Sequence, residues 1–320
     1  MMNRQDETIY GEKTFEHDVT FKGDVQINGA LSGAGISPFV GRKFYVHATR
    51  GSDGGGAAHG TIDSPFASLE YAISNDIVRA DRGDVIIAMP GHAETLSSEL
   101  TMDIAGVAMI GLGFGRNYPV LTPSFASDSI AIDGARCLLS GFNFAVPGVD
   151  GQNAIINVGA AADCAITNCI MQGSTTAINV DSFITVEAGA HRLLLQDLEL
   201  YNSTVEVPIG ISLEGISTGV VIRRVNILDL IGFTTGALAD GAALTMLKVE
   251  NCCFQNAKAA TAVITFSNNS SGVCRWCHII GRHTTIASNV VTGTSMNFFE
   301  NRVVEEATLN GMIMPASDAD

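Results

Sequence analysis

The sequence is poor in charged residues, and among these acidic residues predominate. Charged residues make up 16% of the 320 residues, whereas about 25% is typical of soluble domains. We therefore expect much of the chain to be buried, either in a long core or between subunits. Aspartate and glutamate outnumber lysine and arginine by 33 to 18, which gives a net charge of −15. This balance predicts that neither nucleic acid nor an anionic membrane surface is a partner.

Long apolar runs and a dense cysteine framework are also missing, and we expect no secretory leader. No stretch reaches the roughly 18 apolar residues of a membrane span, and residues 1–12 are polar and charged, so we expect neither membrane insertion nor secretion. The seven cysteines are scattered, which favours reduced thiols in a protein made in the cytoplasm. The glycine-rich stretch 51–56 lacks the Lys-Ser/Thr of a phosphate loop, and we expect no cofactor and no metal.

Glycine, in contrast, is abundant, with 34 residues, and short apolar runs alternate with turn-forming residues. This pattern favours many short strands. One helix is predicted near 64–74, in the stretch DSPFASLEYAI. Asp63 or Ser64 would cap it and Pro65 would lie in its first turn.

A six-residue pattern recurs seven times in the main body of the chain. Each copy has an apolar residue, two polar or turn-like residues, an apolar residue, any residue, and another apolar residue. The offsets between copies are 30, 27, 29, 27, 27 and 25 residues, as read from the sequence. The copies are MIGLGF (109–114), LSGFNF (139–144), ITNCIM (166–171), LQDLEL (195–200), IRRVNI (222–227), VENCCF (249–254) and CRWCHI (274–279).

A fixed pattern with variable offsets is typical of a solenoid, because insertions fall in loops. A second apolar strand precedes several copies by about ten residues, as at 154–158 and 183–187. We therefore predict an all-β fold, a right-handed parallel β-helix of about 8 coils with a period of about 27, over residues 39–305. Asn168, Asp197 and Asn251 occupy the position where a tight bend needs left-handed backbone or an amide ladder.

A shorter repeat lies near the N-terminus, within residues 1–38. Residues 14–31 read as three hexads, TFEHDV, TFKGDV and QINGAL. Their apolar residues form one edge of a ribbon of very short strands, which is too small to make a core alone. These residues are Phe15, Val19, Phe21, Val25, Ile27 and Leu31. The ribbon either joins copies of the chain or covers the open end of the solenoid; residues 306–320 are predicted to be a C-terminal tail.

Two carboxylates are weak candidates for catalysis. Glu187 and Glu214 are one repeat apart, and each follows the apolar residue that ends its strand. Two carboxyl groups about 5 to 5.5 Å apart can act as acid and nucleophile in a retaining glycosidase. A solvated acidic face or a cation site would give the same pattern, and we favour these over catalysis.

The cysteines of the repeat allow three interpretations. CRWCH (274–278) matches the haem-attachment pattern C-x-x-C-H, but its cysteines occupy inward positions of the repeat, so buried thiols are favoured. Cys137 with Cys164, and Cys252 with Cys277, are pairs one coil apart. Their spacing would permit disulfides, although parallel stacking would strain them and free thiols pack well.

Residues 44–95 carry a resemblance to a known family. The segments FYVHATRGSDGGGAAHGTIDSPFASLEYAISN and GDVIIAMPGHAET resemble the opening of pectate-lyase-like β-helix proteins, and the resemblance covers about residues 40–305. The short repeat ahead of the helix, together with DVIIAMPGHAET and MIGLGFGRNYPVL, is similar to β-helix proteins of tailed bacteriophages. Such proteins serve as capsid decoration proteins, head fibres and tailspikes.

The resemblance implies a structural virion protein, made in the host cytoplasm and located in the virion. Residues 14–33 would then form a stalk that holds a homotrimer and attaches it to the major capsid protein or another virion protein. The alternative is a tailspike that binds or cleaves host surface polysaccharide. Neither the calcium-binding Asp cluster of pectate lyases nor the motifs of polygalacturonases are present, so no catalytic residue carries over.

Overall fold

The computed structural model describes most of the chain after residue 40. The described residues are 41–54, 59–74, 77–113, 117–145, 147–173, 180–202, 207–229, 231–266, 268–282, 289–292, 295–305 and 311–314. The predicted stalk, with Phe15, Val19, Phe21, Val25, Ile27 and Leu31, lies outside the described residues. Within them, no helix is long and apolar enough to cross a membrane.

The regular secondary structure of the described residues is almost entirely short strands. The first half contains β1 (Lys43–Val46), α1 (Leu69–Ser74), β2 (Val85–Ala88), β3 (Ala93–Leu96), β4 (Leu100–Met102), β5 (Ala108–Gly111), β6 (Val120–Pro123), β7 (Ile130–Ile132), β8 (Leu138–Ser140), β9 (Asn143–Phe144), β10 (Gln152–Val158), β11 (Ala165–Thr167) and β12 (Ile170–Gln172). The second half contains β13 (Val180–Val186), β14 (Leu194–Asn202), β15 (Val207–Leu213), β16 (Val221–Asp229), β17 (Phe233–Asp240), β18 (Leu247–Glu250), β19 (Cys253–Asn256), β20 (Ile264–Phe266), β21 (Gly272–Arg275), β22 (His278–Gly281), β23 (Val290–Thr292), β24 (Met296–Phe299), β25 (Asn301–Glu305) and β26 (Gly311–Met314).

These strands form three parallel stacks. Stack 1 runs from β1 through β2, β5, β8 and β11 to β24, and stack 2 from β3 through β6, β9 and β12 to β25. The long strands β14 and β16 belong to both stacks and join them into one sheet of 18 strands. Stack 3 is the separate sheet of eight strands from β4 to β23. The pairing of β25 with β26, inside the predicted tail, is antiparallel.

The strand register reproduces the predicted repeat. The first residues of the seven sequence copies are successive Cα partners in stack 1: Met109, Leu139, Ile166, Leu195, Ile222, Val249 and Cys274. The chain therefore makes one coil per repeat. Eight strands in stack 3 correspond to about seven full turns, close to the predicted number. The predicted parallel β-helix is confirmed.

The interior of the solenoid is a continuous column of aliphatic side chains. Stack 3 contributes one inward row of partners that are at most 1% exposed: Leu100, Ile130, Ile156, Ile184, Ile211, Leu238 and Ile264. Burial of such a side chain stabilises the fold by about 1.5–3 kcal/mol. On the opposite wall, Leu198 and Val225 are partners and Cys252 occupies the next coil, all buried. This is the order that the repeat predicts.

The bend between stacks 1 and 2 has left-handed backbone in successive coils. Asn168, Asp197 and Asn251 all have φ of 54°, as the sequence predicts. The equivalent residues of other coils are Arg224 at 51° and Trp276 at 57°. Long and bulky side chains are uncommon in this region, so they were not expected there.

The predicted cap helix is shorter than the sequence suggested. It spans only Leu69–Ser74, and Ser68 caps it by accepting a hydrogen bond from the N–H of Tyr71 at 3.1 Å. Asp63, Ser64 and Pro65 precede the helix instead of starting it. The reason is Phe66, which is fully buried and bridges Val46 in parallel, so the backbone stays extended there.

Candidate functional site

The two candidate carboxylates lie one coil apart on the outer surface of stack 3. Val186 and Leu213 are Cα partners at the ends of β13 and β15, and Glu187 and Glu214 follow them. The Glu214 N–H donates to the carbonyl of Val186 at 2.8 Å, so the main chains keep the stacking distance of about 4.8 Å. Both glutamates are exposed.

A groove built mainly from oxygen-bearing side chains, with Pro208 and Ile209 as apolar lining, surrounds this pair. Its volume is about 340 Å³, and it also contains Asp128, Asn157 and Asp181. Asn157 Nδ2 donates to Asp128 Oδ2 at 3.0 Å and to Glu187 Oε1 at 2.9 Å. Glu214 instead accepts from Ser212 Oγ at 3.1 Å. The two glutamates are thus held by different partners.

Burial, and to a lesser extent electrostatic repulsion, disfavours the charged state of Asp128 in this groove. Burial raises the pKa of Asp128, and the charge of Glu187 adds to this, while hydrogen bonds from Asn157 and the Ala154 N–H oppose it. Burial likewise raises the pKa of Glu99, to which Asp128 contributes. Sequence reasoning missed Asp128 and Asn157 because neither occupies the repeat position of the glutamate pair.

The lining of this acidic groove limits its chemistry. It contains no lysine, arginine or histidine and no aromatic residue among the described side chains. The neighbours Ala188 and Gly215 are small and both glutamates are exposed, whereas an acid that stays protonated near neutral pH requires an apolar pocket. Within the described part of the chain, no three Asp, Glu, His or Cys residues are grouped as metal ligands.

A second, larger groove lies at the bend between stacks 1 and 2. Its volume is about 450 Å³, and its lining includes Tyr118, Asn168, Glu199 and Asn226. An ion pair crosses it from one coil to the next.

This ion pair joins two residues with left-handed backbone. Arg224 donates to both carboxylate oxygens of Asp197, from Nε at 2.6 Å and Nη2 at 2.7 Å. The guanidinium lowers the pKa of Asp197. The planar groups of Arg224 and Asp197 hold each other in a fixed orientation, so they present hydrogen-bonding atoms in defined directions at the surface.

The bend between stacks 3 and 1, on another side of the solenoid, carries similar ion pairs. Arg192 donates to Asp163 from Nε at 2.5 Å and Nη2 at 2.7 Å, and Arg136 pairs with Asp81. These four residues also have left-handed backbone. Ion pairs between coils therefore occur at both of these bends. Arg192 and Asp163 belong to successive coils, whereas Arg136 and Asp81 are two coils apart.

The cysteines are free thiols. Cys274 and Cys277, the pair of the C-x-x-C-H pattern, are fully buried in the core, so haem attachment would require the solenoid to open. The N–H of Cys137 lies 3.4 Å from Cys164 Sγ in the next coil, which places this pair as the repeat predicts. Burial raises the pKa of the Cys169 thiol to about 12.

Comparisons with known proteins find two solved structures with partial similarity to this chain. No family model matches the sequence, and no curated protein matches it. A rhamnogalacturonan lyase is similar with a TM-score of 0.40 and 13% identity, over 82% of this chain and 62% of that chain. A pectate lyase is similar with a TM-score of 0.43 and 10% identity, over 82% and 75%. The chain thus spans about three-fifths of the rhamnogalacturonan lyase, and at these identities the likeness concerns the fold alone.

Proposed function

We propose that this chain is a structural protein of the virion of a tailed bacteriophage, a homotrimeric capsid decoration protein or head fibre. The observation that carries the proposal is the hexad repeat of residues 14–31 directly ahead of a β-helix. The repeat offers an apolar edge with no local core, and the β-helix offers a stiff body that a stalk can display.

The stiffness of that body follows from its cross-coil bonds. The parallel ladders run through the three stacks, and ion pairs such as Arg192–Asp163 and Arg224–Asp197 join successive coils at two corners. Because each repeat packs on its neighbours, the coils form one continuous core. A rigid projection of this kind suits a protein that decorates a particle.

In this proposal the stalk joins three copies of the chain. Three copies can turn their apolar edges toward a shared threefold axis, which buries side chains that a single copy leaves exposed. The partner at the base of the stalk would be the major capsid protein or another virion protein. In this arrangement the chain needs no catalytic activity.

Light scattering of the full chain tests the assembly. One protomer has a mass of 33.6 kDa, so a trimer has about three times that mass. The double variant Val19→Asp with Phe21→Asp should be monomeric, as should a chain lacking residues 1–36. The matched control, Thr20→Asp with Gln26→Asp, adds the same charge at polar hexad positions and should remain trimeric. A wild-type monomer, or a trimer that survives the apolar substitutions, would refute the stalk.

The second candidate function is that of a tailspike that cleaves surface polysaccharide. It is favoured by one observation, the stacking of Glu187 and Glu214 in an open groove. We expect no release of reducing ends from bacterial surface polysaccharide. Release by the wild type that Glu187→Gln or Glu214→Gln abolishes would promote this candidate over the structural role.

A further inference from the structure

Planar hydrogen-bonding side chains are concentrated along the bend between stacks 1 and 2. Three adjacent rows of outward residues follow this bend from coil to coil, and we call them the corner band. Stack 1 contributes Thr167, Gln196, Arg223, Glu250 and Arg275; the bend contributes Asn168, Asp197, Arg224, Asn251, Trp276 and Glu300; stack 2 contributes Ile170, Glu199, Asn226, Cys253, His278 and Arg302.

Two of the bend residues are not of the types that this backbone conformation prefers. Gly141, Asn168 and Asn251 suit a positive φ, but Arg224 and Trp276 do not. A side chain kept at a conformational cost is often kept for what it contacts. Trp276 is the single tryptophan of the chain, and it is 44% exposed.

Neighbouring side chains hold the indole of Trp276 in place. Its Nε1 donates to Glu300 Oε2 at 2.6 Å, and the guanidinium of Arg275 lies 4.2 Å from the ring centroid. The ring is therefore preorganised at one end of the band. The 450 Å³ groove with Tyr118 lies toward the other end. Four coil steps separate Asn168 from Trp276, a length of about 19 Å.

The charges of the band indicate what kind of ligand it fits. Four arginines are balanced by four carboxylates: Arg223, Arg224, Arg275 and Arg302 with Asp197, Glu199, Glu250 and Glu300. The band is thus neutral in a chain of net charge −15, which disfavours a polyanion. Amide, carboxylate and guanidinium groups can pair with neighbouring hydroxyls, and an exposed indole offers an apolar face.

We propose that the corner band binds an extended, uncharged polysaccharide along the solenoid axis. The ligand spans several coils because the polar groups recur in each coil. The site is separate from the acidic groove of Glu187 and Glu214, and binding there requires no bond cleavage. The proposal does not depend on trimer formation or on a place in the virion.

The bend between stacks 3 and 1 provides a control for ion pairs that merely join the coils. Arg192 has φ of 57° and pairs with Asp163 through two hydrogen bonds, as Arg224 does with Asp197. Among the residues that the structure describes, the other non-glycine residues with positive φ along that corner include Arg136 and Met246 but no aromatic residue. Arg192→Asn and Arg224→Asn therefore change backbone preference and ion pairing alike, and differ only in the surface affected.

The test uses the full chain in native gels that contain dextran, mannan, galactan or anionic polygalacturonate. At least one neutral polymer should slow the wild type, and polygalacturonate should not. Trp276→Asn and Arg224→Asn should weaken that retardation by about tenfold or more, whereas Arg192→Asn should not. Since asparagine tolerates positive φ, the bend variants should melt no lower than Arg192→Asn. Asn226→Ala, which leaves the bend unchanged, should also weaken binding.

Several outcomes would overturn the proposal. They are retardation by none of the neutral polymers, retardation by polygalacturonate alone, and equal loss of binding in Arg192→Asn and Arg224→Asn. If the bend variants fail to fold, Asn226→Ala decides alone, and unchanged retardation of that variant contradicts the site. A monomeric protein that still binds through the band would refute the stalk but leave this inference intact.

Discussion

The register of the core can be tested most sharply at Val225. This side chain is fully buried between Leu198 and Cys252, which occupy the coils on either side. Val225→Ala removes two methyl groups at about 0.8 kcal/mol each, and the cavity that remains brings the cost to about 2 kcal/mol. Val225→Asp also buries a carboxylate without a partner, for which about 3–5 kcal/mol or more is expected.

The neighbouring residue supplies the control. Asn226 is exposed on the outer face of the same strand, so Asn226→Asp should change the free energy of unfolding by about 0.5 kcal/mol or less. Unfolding in urea should be followed by both circular dichroism and Trp276 fluorescence, because a solenoid can unfold in parts. With m near 2 kcal/mol/M, Val225→Ala should lower the midpoint by about 1 M. A Val225→Asp protein as stable as Asn226→Asp would refute the assigned register.

Three further outcomes are expected. Ser68→Ala removes the cap of α1 and should cost about 1 kcal/mol, whereas Ser74→Ala at the other end should be near neutral; equal urea midpoints for the two would contradict the observed helix start. The pKa of Asp128 is raised in the folded state. The folded protein therefore gains stability as the pH falls through that pKa. Asp128→Asn should therefore raise the urea midpoint at pH 7, with a difference that shrinks toward pH 4, and an opposite trend would rule out this electrostatic account. Cys253 is the one half-buried cysteine, so a thiol reagent should modify one cysteine in the folded protein and seven after unfolding; fast reaction of several would show that the core opens.

The repeat made the fold predictable from the sequence. A solenoid places residues one period apart in direct contact, so the spacing of Leu195, Ile222 and Val249 translated into strand register without further assumptions. The same spacing placed Glu187 beside Glu214. Long-range contacts are usually hidden in a sequence, but a repeat turns them into a fixed offset.

Other features depend on contacts that no local pattern encodes. The start of α1 was placed too early because Phe66 pairs with Val46, about twenty residues away and outside the repeat. Local capping signals compete with such tertiary pairing and lose where the side chain is fully buried. The result is a helix that begins at Leu69.

The two grooves were only partly predictable. Asn168 and Asn251 signalled the left-handed bend because asparagine tolerates it, whereas Arg224 and Trp276 gave no such signal. Asp128 joins the acidic groove through Asn157 Nδ2, a contact between different coils and different repeat positions. Alignment of the copies finds residues that share a position but misses those that meet across positions.

High-resolution imaging of the phage particle that we propose contains this chain tests the central claim most directly. The proposal predicts clusters of three β-helices at the particle surface, each about seven turns and roughly 34 Å long, with the stalk of residues 14–33 on the threefold axis and directed toward the capsid. Absence of the chain from purified particles would contradict a structural role in the virion. Density confined to the tail tip would instead support the tailspike.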